Sequence, residues 1–323
     1  MTVETRLRQT ADRISMGVEE RTQIRLISQA IIKDIQVICK EKGKIDPLFK
    51  IVEVRRGGSL EKNTILTGHR ETDIVLVIKD PKELKTSIYK RVHKYIYLQM
   101  KEKYPDKKYN VHRGFKALKM TYKNVDLDVL LACDDSITMK EYVQMDKKLQ
   151  RIYVGTARIH ASKFFETRDS DQFNRFVRLL KYWIKKELER LDRKNARSVS
   201  SYLMELMAAW IYDKVKKENK LEEGQEPDLQ ELLEYFINWI CSGELSNEKI
   251  IFQKGNDKQL INWQYIKKSC PSHANFYVID PFNPNNNIAE YKNLSRRKRS
   301  ALLEVARETQ QKIRTNDWSP FGA

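Results

Sequence analysis

The spacing of apolar residues predicts that the first half of the chain mixes helices with strands. Isoleucines recur at helical spacing from Ile24 to Ile38, which predicts a long helix over residues 20–42 that ends at Gly43. Another helix is predicted over residues 81–103, before Pro105. Alternating apolar runs predict strands over residues 49–55, 109–112, 117–123 and 125–132, with Lys123-Asn124 as a turn.

The pattern changes to helical after about residue 161. Helices are predicted over residues 171–189, 198–215, 228–240 and 296–313. A weak strand signal returns only at residues 276–279, before a turn-rich segment. The chain is therefore expected to be an α+β protein with two closely packed lobes, a mixed lobe followed by a helical lobe, and a cleft between them.

Paired acidic residues in two of the predicted strands suggest chemistry. The turn Gly57-Gly58-Ser59 lies between two apolar runs, and Glu71 and Asp73 open the second run. Alternate side chains of a strand project from one face, so these two carboxylates should lie together, as should Asp126 and Asp128. Three carboxylates beside a turn that can approach phosphate could hold two magnesium ions and a nucleoside triphosphate. Taken singly, each feature is common on a solvated strand face or in an ordinary turn.

Composition narrows the classes of protein. The chain has 323 residues, of which 41% are hydrophobic and 33% charged, as in a globular protein. A net charge of +17, from 61 basic and 44 acidic residues, favours a polyanionic partner, although a lysine-rich solvated surface would give the same value. The four cysteines lack zinc-ligand or redox spacing. With no apolar run of about 20 residues and no signal-peptide pattern, we expect a cytoplasmic protein without membrane association.

These motifs together resemble the 2′-5′-oligoadenylate synthetase family, part of a wider group that includes cyclic GMP-AMP synthase. The resemblance covers roughly residues 24–318. It rests on the following segments: Arg55-Arg56-Gly57-Gly58-Ser59, Glu71-Thr72-Asp73-Ile74, Asp128-Val129-Leu130, Val177–Trp183, Ser201–Leu206 and the carboxy-terminal signature Asp280–Asn287. It implies a bilobal nucleotidyltransferase fold. Residues 1–160 would form the catalytic core with its N-terminal helix, and residues 161–323 the helical domain.

The resemblance assigns roles in catalysis and nucleotide binding. Glu71, Asp73 and Asp128 would be the catalytic acids and would ligate two Mg²⁺ ions, with Mn²⁺ as an alternative, and Asp128 would also help to deprotonate the attacking hydroxyl. The residues expected to bind the nucleotide are Gly57, Gly58, Ser59 and Lys62 at the triphosphate, Lys181 at a phosphate or the acceptor, and Tyr202 against a base.

The resemblance also implies an activator and a product. Double-stranded RNA would bind basic residues opposite the cleft, namely Lys33, Lys40, Lys42, Arg56 and Lys163, and would order the active site by moving the long N-terminal helix. The expected activity is synthesis of a 2′-5′-linked oligoadenylate second messenger from ATP, by a monomeric sensor of innate antiviral immunity.

Two departures from the family pattern leave alternatives open. Glu61-Lys62-Asn63-Thr64 stands where the family usually has Gly-Lys-Gly-Thr, and the first metal acid is Glu71 rather than aspartate. A Glu-x-Asp pair is more similar to the cyclic GMP-AMP synthase-like receptors, so a cyclic-dinucleotide synthase is one alternative. A catalytically inactive RNA-binding module is the other, and the three acids argue against it.

Overall fold

A computed structural model of the chain describes residues 1–40, 51–78, 86–105, 110–113, 117–133, 138–145, 154–191, 199–243, 248–269, 276–289 and 294–323. Its contacts divide it into two compact units. One unit is Met16–Glu166, and the other combines Met1–Ser15 with Thr167–Ala323. No helix within these ranges is long and apolar enough to cross a membrane.

The unit Met16–Glu166 contains a five-stranded mixed sheet. Its helices are α2 (Val18–Lys40), α3 (Thr86–Lys103), α4 (Met139–Gln144) and α5 (Val154–Glu166). Its strands are β1 (Ile51–Gly57), β2 (Glu71–Ile78), β3 (Asn110–Arg113), β4 (Leu118–Tyr122) and β5 (Val125–Cys133). The strand order is β1-β2-β5-β4-β3, and β2 and β5 are parallel to each other while the other neighbours are antiparallel.

Apolar periodicity explains these elements. The isoleucines of α2 are all buried, and Ile24, Ile31 and Ile35 are completely so, as a one-sided helix requires. In β2 every residue from Ile74 to Ile78 is buried, which is typical of a central strand covered on both faces. Lys123 and Asn124 join β4 to β5 with φ angles of 50° and 59°, as a two-residue hairpin turn requires.

The second unit is mainly helical. Its helices are α1 (Val3–Arg13), α6 (Asp171–Leu191), α7 (Ser201–Glu218), α8 (Leu229–Cys241), α9 (Trp263–Ser269) and α10 (Arg296–Arg314). Short strands β6 (Lys249–Ile250) and β7 (Tyr277–Val278) pair in parallel, and 3-10 turns occupy Gly255–Leu260 and Ser319–Phe321.

Aromatic side chains fill the core of the helical unit. The Trp183 ring of α6 packs against Phe236 of α8 and Phe321, and its Nε1 donates to Thr309 Oγ1 of α10 at 3.0 Å. Because the indole has both an apolar body and a satisfied donor, it can be buried without a polar penalty.

The α+β class is confirmed, and the predicted strands and long helices are found within a few residues of their expected positions. The parts of the predictions at residues 41–43, 49–50, 81–85, 109 and 198 lie outside the described residues. The contact division falls at residues 166 and 167 and puts Met1–Ser15 with the helical unit, whereas the sequence suggested a boundary near residue 160.

Candidate active site

Strand register places the predicted catalytic acids side by side. In the parallel β2–β5 ladder, Asp73 pairs with Asp128 and Glu71 pairs with Asp126. Residues paired across neighbouring strands project from the same face, so all four carboxylates share one face of the sheet. The line of paired residues that crosses the sheet through Asp73 and Asp128, called the acid row below, also contains Gly57 of β1 on one side and Lys119 of β4 on the other.

The remainder of that face is buried, and this explains why the acids stand at its edge. Val75, Val77 and Ala132 lie on the same face as the acids and form a core cluster with Ile159 of α5. Towards the amino ends of β2 and β5 the face opens, since Glu71 and Asp126 are exposed while Asp73 and Asp128 are half-buried. The apolar half fixes the strands, and the acids are held at the accessible end of a rigid sheet.

The two acids of β5 have different partners. Asp128 Oδ1 lies 3.5 Å from Lys119 Nζ, and this lysine side chain is 64% exposed. Asp126 Oδ1 accepts a 2.7 Å hydrogen bond from Thr121 Oγ1 of β4. An exposed lysine at 3.5 Å is easily displaced by a cation, whereas the short hydroxyl bond fixes Asp126 against β4. Asp128 is therefore better suited than Asp126 to serve as a ligand or a base.

The glycine turn comes closest to the acids at Gly58. Its φ of +82° is a left-handed conformation that side chains rarely adopt, and a Cβ at this position would lie 2.9 Å from Asp73 Oδ2. A Cβ at Gly57 would make only ordinary contacts, at 3.6 Å or more. Gly58 is thus required for the close approach of the turn to Asp73, and Ser59, which is half-buried, continues the turn.

The turn continues into a loop, residues 58–64, that is called the phosphate loop below because the resemblance predicts that it binds the triphosphate. Its backbone is closed by bonds from Thr64 N to Ser59 O at 3.1 Å and from Lys62 N to Gly58 O at 3.4 Å. Lys62 Nζ lies 4.8 Å from the centre of the Phe165 ring of α5, a cation–π contact. The same helix, α5, packs against the apolar half of the sheet face that carries the acids. Lys62 therefore lies on the same side of the sheet as the acids.

The carboxylates have the chemistry that magnesium prefers. Mg²⁺ takes hard oxygen ligands and is usually held by one or two carboxylates together with substrate phosphates. Asp73 and Asp128 stand on adjacent strands, and Gly58 leaves space against the Asp73 carboxylate. The donor set fits magnesium, although within the described ranges no three His, Cys, Asp or Glu side chains are already gathered as a metal cluster.

The remaining predicted nucleotide ligands lie in the helical unit. Lys181 of α6 is buried, and its Nζ lies 2.6 Å from Glu205 Oε1 of α7. Tyr202 of α7 is half-buried, and its hydroxyl donates to Asp280 Oδ2 at 3.3 Å. The nucleotide-binding roles of Lys181 and Tyr202 stay predictions.

Asp280 is a buried acid whose role the sequence did not reveal. Its Oδ1 accepts 2.9 Å bonds from the backbone N–H groups of Phe282 and Asn283. Burial raises the pKa of this carboxyl to about 6, although these bonds and the Tyr202 hydroxyl favour the charged form. The nearby Asn287 Oδ1 accepts from the N–H groups of Val278 and Ala289. The carboxy-terminal signature therefore ties down a loop.

The residues predicted to bind RNA have varied surroundings within Met16–Glu166. Lys33 and Lys40 are exposed on α2, and Lys163 is exposed on α5. Arg56 is instead half-buried and forms a 3.2 Å ion pair with Glu61 beside Lys62, so it also supports the phosphate loop. Lys42 lies outside the described residues. RNA binding by this set stays a prediction.

Comparison with known proteins identifies the fold. No family model and no curated protein matches the chain. Solved structures match it nearly end to end at low identity. The structure of CdnC from E. coli MS115-1 with ATP is 18% identical with a TM-score of 0.61, covering 98% of this chain and 97% of CdnC. A mutant of the Cid1 poly(U) polymerase bound to MgATP is 16% identical with a TM-score of 0.63, covering 98% of both chains.

CdnC has also been solved in complex with HORMA-deltaN, and this structure is 17% identical with a TM-score of 0.61 over 97% of this chain and 90% of that one. At such identities the matches establish the fold, which is that of the nucleotidyltransferases. They do not single out the oligoadenylate synthetases or any other family.

Proposed function

We propose that this protein is a magnesium-dependent nucleotidyltransferase that uses ATP to make a 2′-5′-linked oligoadenylate under the control of double-stranded RNA. One observation carries the catalytic part of the proposal. The register of β1, β2 and β5 aligns Gly57, Asp73 and Asp128 in one row, on a fold found in structures solved with ATP and MgATP. The linkage of the product and the RNA activator rest on the resemblance to the oligoadenylate synthetases.

In the proposed reaction, a ribose 2′-hydroxyl oxygen of the acceptor attacks the α-phosphorus of ATP. The new bond joins O2′ to the α-phosphorus, the bond from the α-phosphorus to the bridging oxygen breaks, and pyrophosphate leaves with that electron pair. Asp128 lies on β5, opposite Asp73 of β2, and would take the proton of the hydroxyl. The phosphate loop would hold the triphosphate through its N–H groups and Lys62.

Glu71, Asp73 and Asp128 would hold the magnesium ions. When bound, these ions would supply positive charge at the attacking and leaving oxygens. Lys119 would lose its partner when Asp128 takes a metal, so its exposed ammonium would be free to meet a phosphate.

A first experiment tests donor, product and activator together. The full chain is incubated with labelled ATP, GTP, CTP or UTP and Mg²⁺, with and without duplex RNA, and the products are resolved after phosphatase treatment. A phosphatase-sensitive ladder from ATP that appears only with duplex RNA is the expected result. Digestion with a nuclease specific for 3′-5′ linkages should leave it intact. An Asp73→Asn variant is the matched control and should give no product.

Two other products have specific support. A single phosphatase-resistant spot would indicate the cyclic-dinucleotide alternative, which the Glu71-x-Asp73 pair favours. Extension of a labelled single-stranded RNA by one or more nucleotides would indicate terminal transfer, the activity named for Cid1, whose fold matches here. Blank lanes with wild-type protein that still binds RNA would favour the inactive module.

A further inference from the structure

The first turn of α2 contacts the phosphate loop directly. Arg21 Nη1 donates to Asn63 Oδ1 in that loop, and Arg21 Nη2 donates to the carbonyl oxygen of Met16 at 3.1 Å. The guanidinium is half-buried and planar, so two bonds in different directions leave it little freedom. The side chain therefore forms a fixed connection between the start of α2 and the loop.

The loop residue that Arg21 holds has an unusual backbone conformation. Asn63 has a φ of +57°, in the left-handed region, where asparagine is tolerated better than most residues but still at a cost. It lies next to Lys62 and inside the turn closed by Thr64 N and Ser59 O. A bond to the Asn63 side chain therefore stabilises the conformation that presents Lys62 towards Phe165.

A second contact joins α2 to Arg70, the last residue of the connection between β1 and β2. Gln23 Oε1 accepts a 3.0 Å bond from Arg70 Nη2, and Arg70 immediately precedes Glu71. The carbonyl oxygen of Arg70 accepts from the N–H of Asp126 at 2.7 Å, which anchors it to β5. The two contacts show that α2 supports both the phosphate loop and the entry to the acid strand.

We infer that Arg21 is a positioning residue for nucleotide binding, which acts by holding Asn63 and thereby the phosphate loop. This inference rests on the proposed nucleotidyl transfer, because it takes the loop as the triphosphate site. Arg21 itself need not contact the nucleotide. Loss of its side chain should loosen the loop and weaken affinity for MgATP.

The test is a double-mutant cycle read by calorimetric titration with MgATP. Arg21→Met keeps much of the aliphatic volume and removes the donors, while Asn63→Gly keeps the left-handed conformation and removes the acceptor. Each single variant should weaken MgATP binding about tenfold, and the double variant should be no weaker than either one. Arg25→Met is the matched control, since Arg25 lies one turn later on α2, is also half-buried and its side chain is not hydrogen-bonded to the described residues of the loop.

A second readout separates failure of this inference from failure of the proposed function. Hydrogen exchange at the amides of Lys62 and Thr64 reports the loop without any nucleotide. Arg21→Met should speed this exchange about tenfold, and Arg25→Met should leave it unchanged. Unchanged exchange in Arg21→Met, or additive losses of affinity in the double variant, would overturn the inference. If wild-type protein binds no nucleoside triphosphate while the exchange result holds, the proposed function fails and the positioning of the loop by Arg21 stands.

Discussion

The acids of the candidate site and the ion pair in the core of the helical unit differ in their exposure to solvent. In Met16–Glu166, Glu71 is exposed, and the ion-pair partner of Asp128 among the described residues is an exposed lysine. In the helical unit, Lys181 and Glu205 have side chains that are 7% and 4% exposed and bind each other at 2.6 Å. An accessible carboxylate can exchange a lysine partner for a metal ion, whereas a buried ion pair is difficult to separate. The first arrangement suits the metal binding proposed for these acids, and the second makes stability depend on keeping both partners.

The largest effect that we expect is a loss of activity in the variant Asp73→Asn. Asp73→Asn removes a charged metal ligand from the row that contains Gly57 and Asp128. We expect the rate of nucleotidyl transfer to fall about 10⁴-fold, equivalent to ~5.5 kcal/mol of transition-state stabilisation. The melting temperature should change little because the side chain is only half-buried. Initial rates and thermal melts measured on the same preparation check both statements.

Asp126→Asn is the matched control for that prediction. Asp126 lies on the same face, yet Thr121 already holds it, and the amide oxygen of asparagine can accept the same bond. Its rate should stay within about threefold of wild type. An equal loss in both variants would mean that Asp126 also holds the metal, and that Thr121 does not keep it out of the site.

In the helical unit, breaking the buried ion pair should act first on stability. Lys181→Met leaves the Glu205 carboxylate buried without its cation, which should lower the free energy of unfolding by about 3–5 kcal/mol. The double variant Lys181→Met with Glu205→Leu should recover most of that loss. Urea titrations of the single and double variants measure this difference.

The same double variant also tests the role predicted for Lys181 in nucleotide binding. If Lys181 meets a phosphate, the double variant should be stable but should bind MgATP about tenfold more weakly than wild type. Recovery of both stability and affinity would assign Lys181 to the core alone.

Patterns within one segment were enough to predict much of the fold. The isoleucines of α2 and the alternation along β4 predict these elements because each buries one regular face, and β5 alternates in its first half before both of its faces become buried. The sequence analysis did not predict helix α1, because the buried residues Leu7, Thr10 and Ala11 have helical spacing but are too few among polar neighbours to give a strong signal. A helix at α5 was also not predicted, although it covers the acid face.

The candidate site, like the fold, could be predicted only as far as patterns within single strands allow. The shared face of Glu71 and Asp73 follows from strand alternation alone, and so does that of Asp126 and Asp128. That β2 and β5 are adjacent and in register is a tertiary fact, and so are the contacts of Lys181 with Glu205 and of Arg21 with Asn63. These pairs are separated by 24 to 42 residues or lie on separate strands, so no local pattern could reveal them.

The buried acid of the helical unit should make stability depend on pH. Burial raises the pKa of Asp280 to about 6, so the folded protein holds a proton there more tightly than the unfolded chain, whose value is about 3.9. The resulting stabilisation is fully present below about pH 4 and is lost as the pH rises through about 6. Two pKa units correspond to roughly 3 kcal/mol. Asp280→Asn should flatten this part of the curve of unfolding free energy against pH, which urea titrations at several pH values can show.

The smallest expected effect concerns the turn beside the acids, where two adjacent glycines form a matched pair. Gly58→Ala would place a Cβ 2.9 Å from Asp73 Oδ2 and would force alanine into a φ of +82°. We expect a loss of about 2 kcal/mol in unfolding free energy from this strain. Gly57→Ala, with contacts of 3.6 Å or more and no left-handed φ, should lose less than about 1 kcal/mol. Equal losses in urea titrations would show that the turn relaxes around a side chain, and that Gly58 is not needed for the close approach to Asp73.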